Sequence, residues 1–197
     1  MSLTRTDQRL LGKAVRYVKC NNRRRLGWLL ARYPHLKSIS DVDGPLTFAA
    51  LYFNPAMLPW LLTQSANPNT RHSVGGTLLM AAGAANDIAL ARLLVSYGAD
   101  VNLRNESGET AFSYCCANNS LECARALVSW GADINSLDEG GGTPLDWAVC
   151  WSSPEFQEWL ASIGGRRKST HAPWPWPLES RTGVCQHKTV VEGQPRV

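Results

Sequence analysis

The sequence predicts an all-α solenoid of stacked helix-turn-helix units, and two columns of residues repeating at one fixed step predict it. GPLTFA from Gly44, TLLMAA from Thr77, TAFSYC from Thr110 and TPLDWA from Thr143 each follow the last by 33 residues. SANPN from Ser65, GADVN from Gly98 and GADIN from Gly131 repeat at the same step. Two motifs in phase mean that one supersecondary unit recurs, and such units bury their apolar faces against their neighbours.

Within each unit, Thr77, Thr110 and Thr143 stand where a first helix begins, because a threonine oxygen satisfies free N–H groups of the first turn. Pro45 and Pro144 then take the first helical position, where a missing N–H does no harm. A second cap column, Asn54, Asp87, Ser120 and Ser153, starts a second helix, with Pro55 and Pro154 following. Gly98, Gly131 and Gly164 fall where that helix closes in a left-handed residue. Ser65 breaks the column and Pro59 lies inside the helix before it, so the first unit is expected to end differently and to carry a kinked or shortened helix. Leu46, Leu79, Phe112 and Leu145 form one core column and Leu61, Leu94, Leu127 and Leu160 another. Ala49, Ala82, Cys115 and Ala148 let neighbouring helices approach closely.

TPLDWA and GADIN resemble the TPLHxA and GADVN signatures of ankyrin repeats over roughly residues 41–165. The resemblance implies units at about 41–73, 74–106, 107–139 and 140–165, each with two antiparallel helices and a β-turn finger. It also implies a protein-binding module without chemistry of its own. The histidine of the signature is replaced by Thr47, Met80, Ser113 and Asp146, so its usual hydrogen-bond link between repeats is missing or altered and lower stability is expected. Asn102 and Asn135 are expected to bond the loop backbone.

Charge is polarised along the chain. Residues 1–40 hold ten basic residues against Asp7 alone, a net +9. Residues 41–163 hold four against thirteen acids, a net −9, and the remainder holds six against two. The N-terminal segment 1–40 is expected to form a basic capping helix pair, with Trp28 and Leu29 one period before Leu61 and Leu62. Arg16, Lys19, Arg23, Arg24 and Arg25 are either solvated capping surface or a patch for an acidic protein, an anionic membrane or nucleic acid. No groove-entering motif supports base recognition. Residues 166–197 change to a Pro- and Trp-containing tail, in which Trp174 and Trp176 fold back over the last repeat or are offered to a partner.

Ankyrin-type recognition, carried residue by residue, assigns the finger positions to Arg71, His72, Arg104, Glu106, Glu109, Asp138 and Glu139. The helix positions are Leu51, Tyr52, Ala84, Ala85, Ala117, Asn118, Cys150 and Trp151, with Tyr52 and Trp151 as aromatic anchors. The acidic fingers suggest a partner with a basic surface. Catalytic constellations are missing: there is no phosphate loop, nucleophile elbow, metalloprotease helix or dinucleotide fingerprint, and the four histidines are scattered. No cofactor or metal is expected, since the six cysteines show no CxxC spacing. A reducing, cytoplasmic setting (a nuclear one is possible) and a monomer are expected; the opening residues lack the apolar stretch of a secretory signal.

Overall fold

The computed structural model describes residues 4–37, 46–72 and 75–168, and the Trp-Pro segment around Trp174 and Trp176, Pro45 and Cys185 lie outside them. Among the described residues ten α-helices follow one another in antiparallel pairs: α1 (Arg5–Lys19), α2 (Arg23–Arg32), α3 (Leu46–Phe53), α4 (Leu58–Thr63), α5 (Leu78–Ala84), α6 (Ile88–Ser96), α7 (Ala111–Ala117), α8 (Leu121–Ser129), α9 (Pro144–Trp151) and α10 (Pro154–Ser162). The first helices pack side by side, α1 on α3, α5 on α7 and α7 on α9, and among the second helices α6 packs on α8. Among the described residues no extended strand forms, so the architecture is all-α.

The first cap column works as its chemistry demands. The hydroxyls of Thr77, Thr110 and Thr143 accept from the N–H groups of Met80, Ser113 and Asp146, and those three side chains reach back to the threonine N–H. The residues that replace the signature histidine therefore cap their own helices, while Thr47 bonds Thr70 at 2.9 Å between buried hydroxyls. In the second column Asp87 and Ser153 cap by side chain, whereas Asn54 and Ser120 do not. Asn54 instead donates to the Val18 carbonyl, tying the first repeat to α1.

Inter-repeat bonding runs through asparagine. Asn69, Asn102 and Asn135 each donate to the closing residue of the next unit, Gly98, Gly131 and Gly164, at 2.9–3.1 Å. Their carbonyl oxygens accept from the N–H of Asp100, Asp133 and Arg166 at 2.8 Å. One amide thus staples two loops twice, and Asn102 and Asn135 bond the loop backbone as expected. Asn86 and Asn119, both left-handed, make a second staple by accepting from the N–H of Cys123 and Ser153.

The first repeat departs from expectation at one point and meets it at another. Pro55–Met57 form a 3₁₀ turn before the short α4, so the helix is broken near Pro59. Ser65, however, takes φ 62° and closes α4 with the bonds Gly98 uses for α6: Ser65 N–H to Leu62, Ala66 N–H to Leu61. The serine tolerates the left-handed conformation because the two bonds satisfy carbonyls that would otherwise be orphaned.

The N-terminal pair is out of register by one residue. Leu26, Leu29 and Leu30 are buried at the positions of Leu58, Leu61 and Leu62, a step of 32, and the left-handed Asn21 precedes the cap Asn22 as Asn86 precedes Asp87. Trp28 is therefore equivalent to Trp60 rather than Leu61, and it is 68% exposed. The core, from Leu11 and Val18 through Leu61, Leu94 and Leu127 to Phe156 and Leu160, is one continuous strip.

Candidate functional site

The exposed ends of α3, α5, α7 and α9 line up in one row. Leu51, Ala84 and Ala117 are half-buried there, and Ala85, Asn118 and Cys150 are exposed. Tyr52 is 69% exposed and Trp151 43%. Asn118 turns its amide back onto the Tyr114 carbonyl at 2.8 Å. Across these four helices Asp146 is the one charged residue. Burial pushes the Asp146 carboxyl up, but the N–H groups of Thr143 and Lys168, the Thr143 hydroxyl and the Arg167 guanidinium outweigh this and hold it below the usual range. Asp146 lies in the first turn of α9 and pairs with Arg167 at 3.3 Å, so the ends of the four helices form an uncharged floor.

A column overlooked in the sequence shapes that floor. Phe48, Ala81, Tyr114 and Trp147 recur at the 33-residue step, and the small Ala81 leaves a notch between two aromatic neighbours. The notch has a volume of about 410 Å³, and Phe48, Tyr52, His72, Met80, Ala81 and Tyr114 are among its walls. Phe48 meets Tyr52 at 6.2 Å and His72 edge-on at 5.0 Å. The signal was present, since the column adjoins the small-residue column, but an alanine hides an aromatic pattern.

The fingers are closed by matching backbone bonds: His72 N–H to Gly76, Asn105 N–H to Glu109 and Asp138 N–H to Gly142, at 2.9–3.0 Å. At their apices sit Gly75, Gly108 and Gly141 at positive φ. A Cβ on Gly108 would stand 2.9 Å from the Glu139 nitrogen, so only glycine lets neighbouring fingers touch. Glu139 N–H indeed donates to the Ser107 carbonyl, and the Arg104 guanidinium donates to the Leu137 carbonyl in the same seam.

This arrangement divides the finger residues. Asp138, 8% exposed, accepts from the Gly142 N–H and the Trp147 indole, so it holds the finger instead of presenting an acid. Glu109 accepts from the Asn105 amide at 2.7 Å and is half-buried. Glu106 and Glu139 remain exposed, and Arg71 is half-buried beside His72. The acidic finger cluster inferred from sequence thus reduces to two outward carboxylates. Most other acids of the repeats, including Asp100, Glu122, Asp133, Glu155 and Glu158, lie on the second helices and their loops.

The basic residues read as one patch are dispersed. Arg16 and Lys19 occupy the positions of Phe48 and Leu51, extending the floor with positive charge, and the Lys19 ammonium lies 3.7 Å over the Phe53 ring. Arg23 donates to the Ala56 carbonyl at 3.2 Å. Arg24 and Arg25 are exposed on α2. Among the described residues no group of three metal-binding side chains converges and no helix is long and apolar enough to cross a membrane. Cys115, Cys116 and Cys123 are buried thiols, and Cys20 and Cys150 are exposed. The hydrogen bond between the Cys115 and Cys123 thiols raises the first and lowers the second.

A family model described as Ankyrin repeats, in three copies, matches residues 46–138. No match was found among curated proteins. The unit of α9 and α10 lies beyond the matched span and continues its caps, its finger and its asparagine staple. Paired helices, left-handed closures and stapled fingers agree with that match, and residues 46–138 are ankyrin repeats.

Proposed function

We propose that the chain is a non-catalytic adaptor or inhibitor that holds one partner protein on the face formed by its first helices and fingers. Ankyrin repeats generally mediate protein–protein interaction and generally carry no catalysis, which supports the coarse reading. The observation that carries the finer one is the uncharged floor, with Tyr52 and Trp151 exposed and a notch at Ala81. Exposed aromatics on a rigid face bury large areas at low entropic cost, and a notch between aromatics takes an anchoring side chain.

The partner segment would bring an apolar or aromatic side chain to the notch and basic residues towards Glu106 and Glu139. Leu51, Asn118, Arg71, His72 and Arg104 would frame the contact, and Glu109 and Asp138 would act by holding the fingers in place. Action would be steric: tethering or masking a bound surface. We place the N-terminal pair at 1–40, four repeats over 41–165 and a tail at 166–197, in a monomer in a reducing, cytoplasmic setting.

The test is affinity capture from the native source with the intact protein beside Y52A/W151A and A81W, the latter filling the notch. Loss of the same captured protein from both variants, with wild-type thermal midpoints, supports the site. Equal recovery from all three overturns it.

A further inference from the structure

Four contacts between neighbouring units define which positions of each unit face the unit before it. A Cβ on Gly83 would meet the Ala111 carbonyl at 2.8 Å and the Cys115 sulfur at 3.0 Å. Asn86 donates to Glu122 at 2.7 Å. The Arg125 guanidinium sits 4.9 Å over the Trp159 ring, and Trp60 covers Gly27 in the same way. In the N-terminal pair, allowing for its one-residue slip, the equivalents of Ala111, Cys115, Glu122 and Trp159 are Lys13, Tyr17, Arg24 and Trp28. No unit precedes this pair among the described residues, so these four side chains make the end face of the stack.

That face combines charge and aromatics in a way that a solubilising cap does not require. A cap needs polar residues towards water, which Lys13 and Arg24 supply. Trp28 is nevertheless 68% exposed, with Arg24, Arg25 and Arg32 one helical turn away. Three arginines open α2 with no acid in its first turn, where the helix dipole disfavours cations. The one acid of the two helices, Asp7, is engaged by Thr4 and by His35 at 3.0 Å.

We propose that this end face docks on an anionic lipid bilayer, with the cations against headgroup phosphates and the Trp28 indole at headgroup depth. Clustered lysine and arginine are attracted to an anionic leaflet, and tryptophan prefers the bilayer interface. Single-stranded nucleic acid calls for several successive aromatic platforms and duplex for a groove-entering element. Among the described residues the end of the stack offers one exposed indole and no protruding element. Partner capture on the floor of first helices would be independent of this contact.

The experiment is co-sedimentation of the full chain with phosphatidylcholine vesicles, and with phosphatidylcholine vesicles containing phosphatidylserine, at low and high salt. Polyuridylate binding is measured in parallel. Binding to the phosphatidylserine vesicles alone, weakened by salt, is expected. K13A/R24A is expected to lose partitioning by roughly twenty-five-fold, about fivefold per cation. W28A is expected to lose partitioning that W28F retains in larger part, with unchanged thermal midpoints for all variants. Equal partitioning on both vesicle types, indifference to W28A, or Trp28-dependent binding to polyuridylate without vesicle binding would each overturn the proposal.

Discussion

Single residues carry conformations that their neighbours leave no choice about. Ser65 sits at φ 62° where the later repeats use glycine, and a side chain in that region costs about 1–2 kcal/mol. Ser65→Gly is expected to raise stability by about 0.5–1 kcal/mol in urea unfolding, the gain reduced by the freer unfolded chain. Gly108 is the opposite case, because its missing Cβ makes room for the Glu139 nitrogen. Gly108→Ala is expected to cost more than about 1 kcal/mol in the same measurement. Asn102 makes one bond to each of two backbone groups of the next loop, and Asn102→Ala should lose about 1–3 kcal/mol. A cost below about 0.5 kcal/mol would assign the staple to water-equivalent bonding instead.

At the scale of elements, the short first helices depend on what happens at their starts. Those of the repeats are only seven or eight residues long, so propensity alone cannot hold them and the capping boxes of α5, α7 and α9 matter. In α9 the box uses Asp146, whose folded-state pKa lies below its ordinary value of 3.8. A depressed carboxylate pKa stabilises fully above 3.8 and loses that contribution as pH falls through the lowered folded value. Asp146→Asn should therefore lower stability at neutral pH and converge with the wild type in strong acid. Urea midpoints at a series of pH values check this, and a gap that persists in acid would mean that packing, not charge, separates them.

Across the whole molecule, each unit contacts only its neighbours, so stability grows by interfaces and is least at the ends. Hydrogen exchange is expected to be slowest in α5 to α8, at the middle of the stack, and fastest in α10 at its end and in the six-residue α4. Uniform protection would instead indicate one cooperative block. Charge is also arranged at this scale. The repeats are acidic along their second helices and loops, the floor of first helices is uncharged, and the N-terminal pair is basic. A surface so divided can hold a partner on one face while its end is drawn to something anionic.

The amino-acid order alone settled the unit, because caps, left-handed closures and core columns are local hydrogen-bond and burial chemistry that must recur wherever the unit does. Thr77, Thr110 and Thr143 could be assigned from their own neighbours. It could not reveal that Asp138 and Glu109 are spent on holding fingers, nor that the basic run from Arg16 to Arg25 points in several directions. Those depend on which side chain meets which across repeats. The one-residue slip of the N-terminal pair was hidden for the same reason: no repeated motif marks it, and only burial of Leu29 in place of Trp28 shows it. Tertiary packing, not the period, decides which side chains remain to meet a partner.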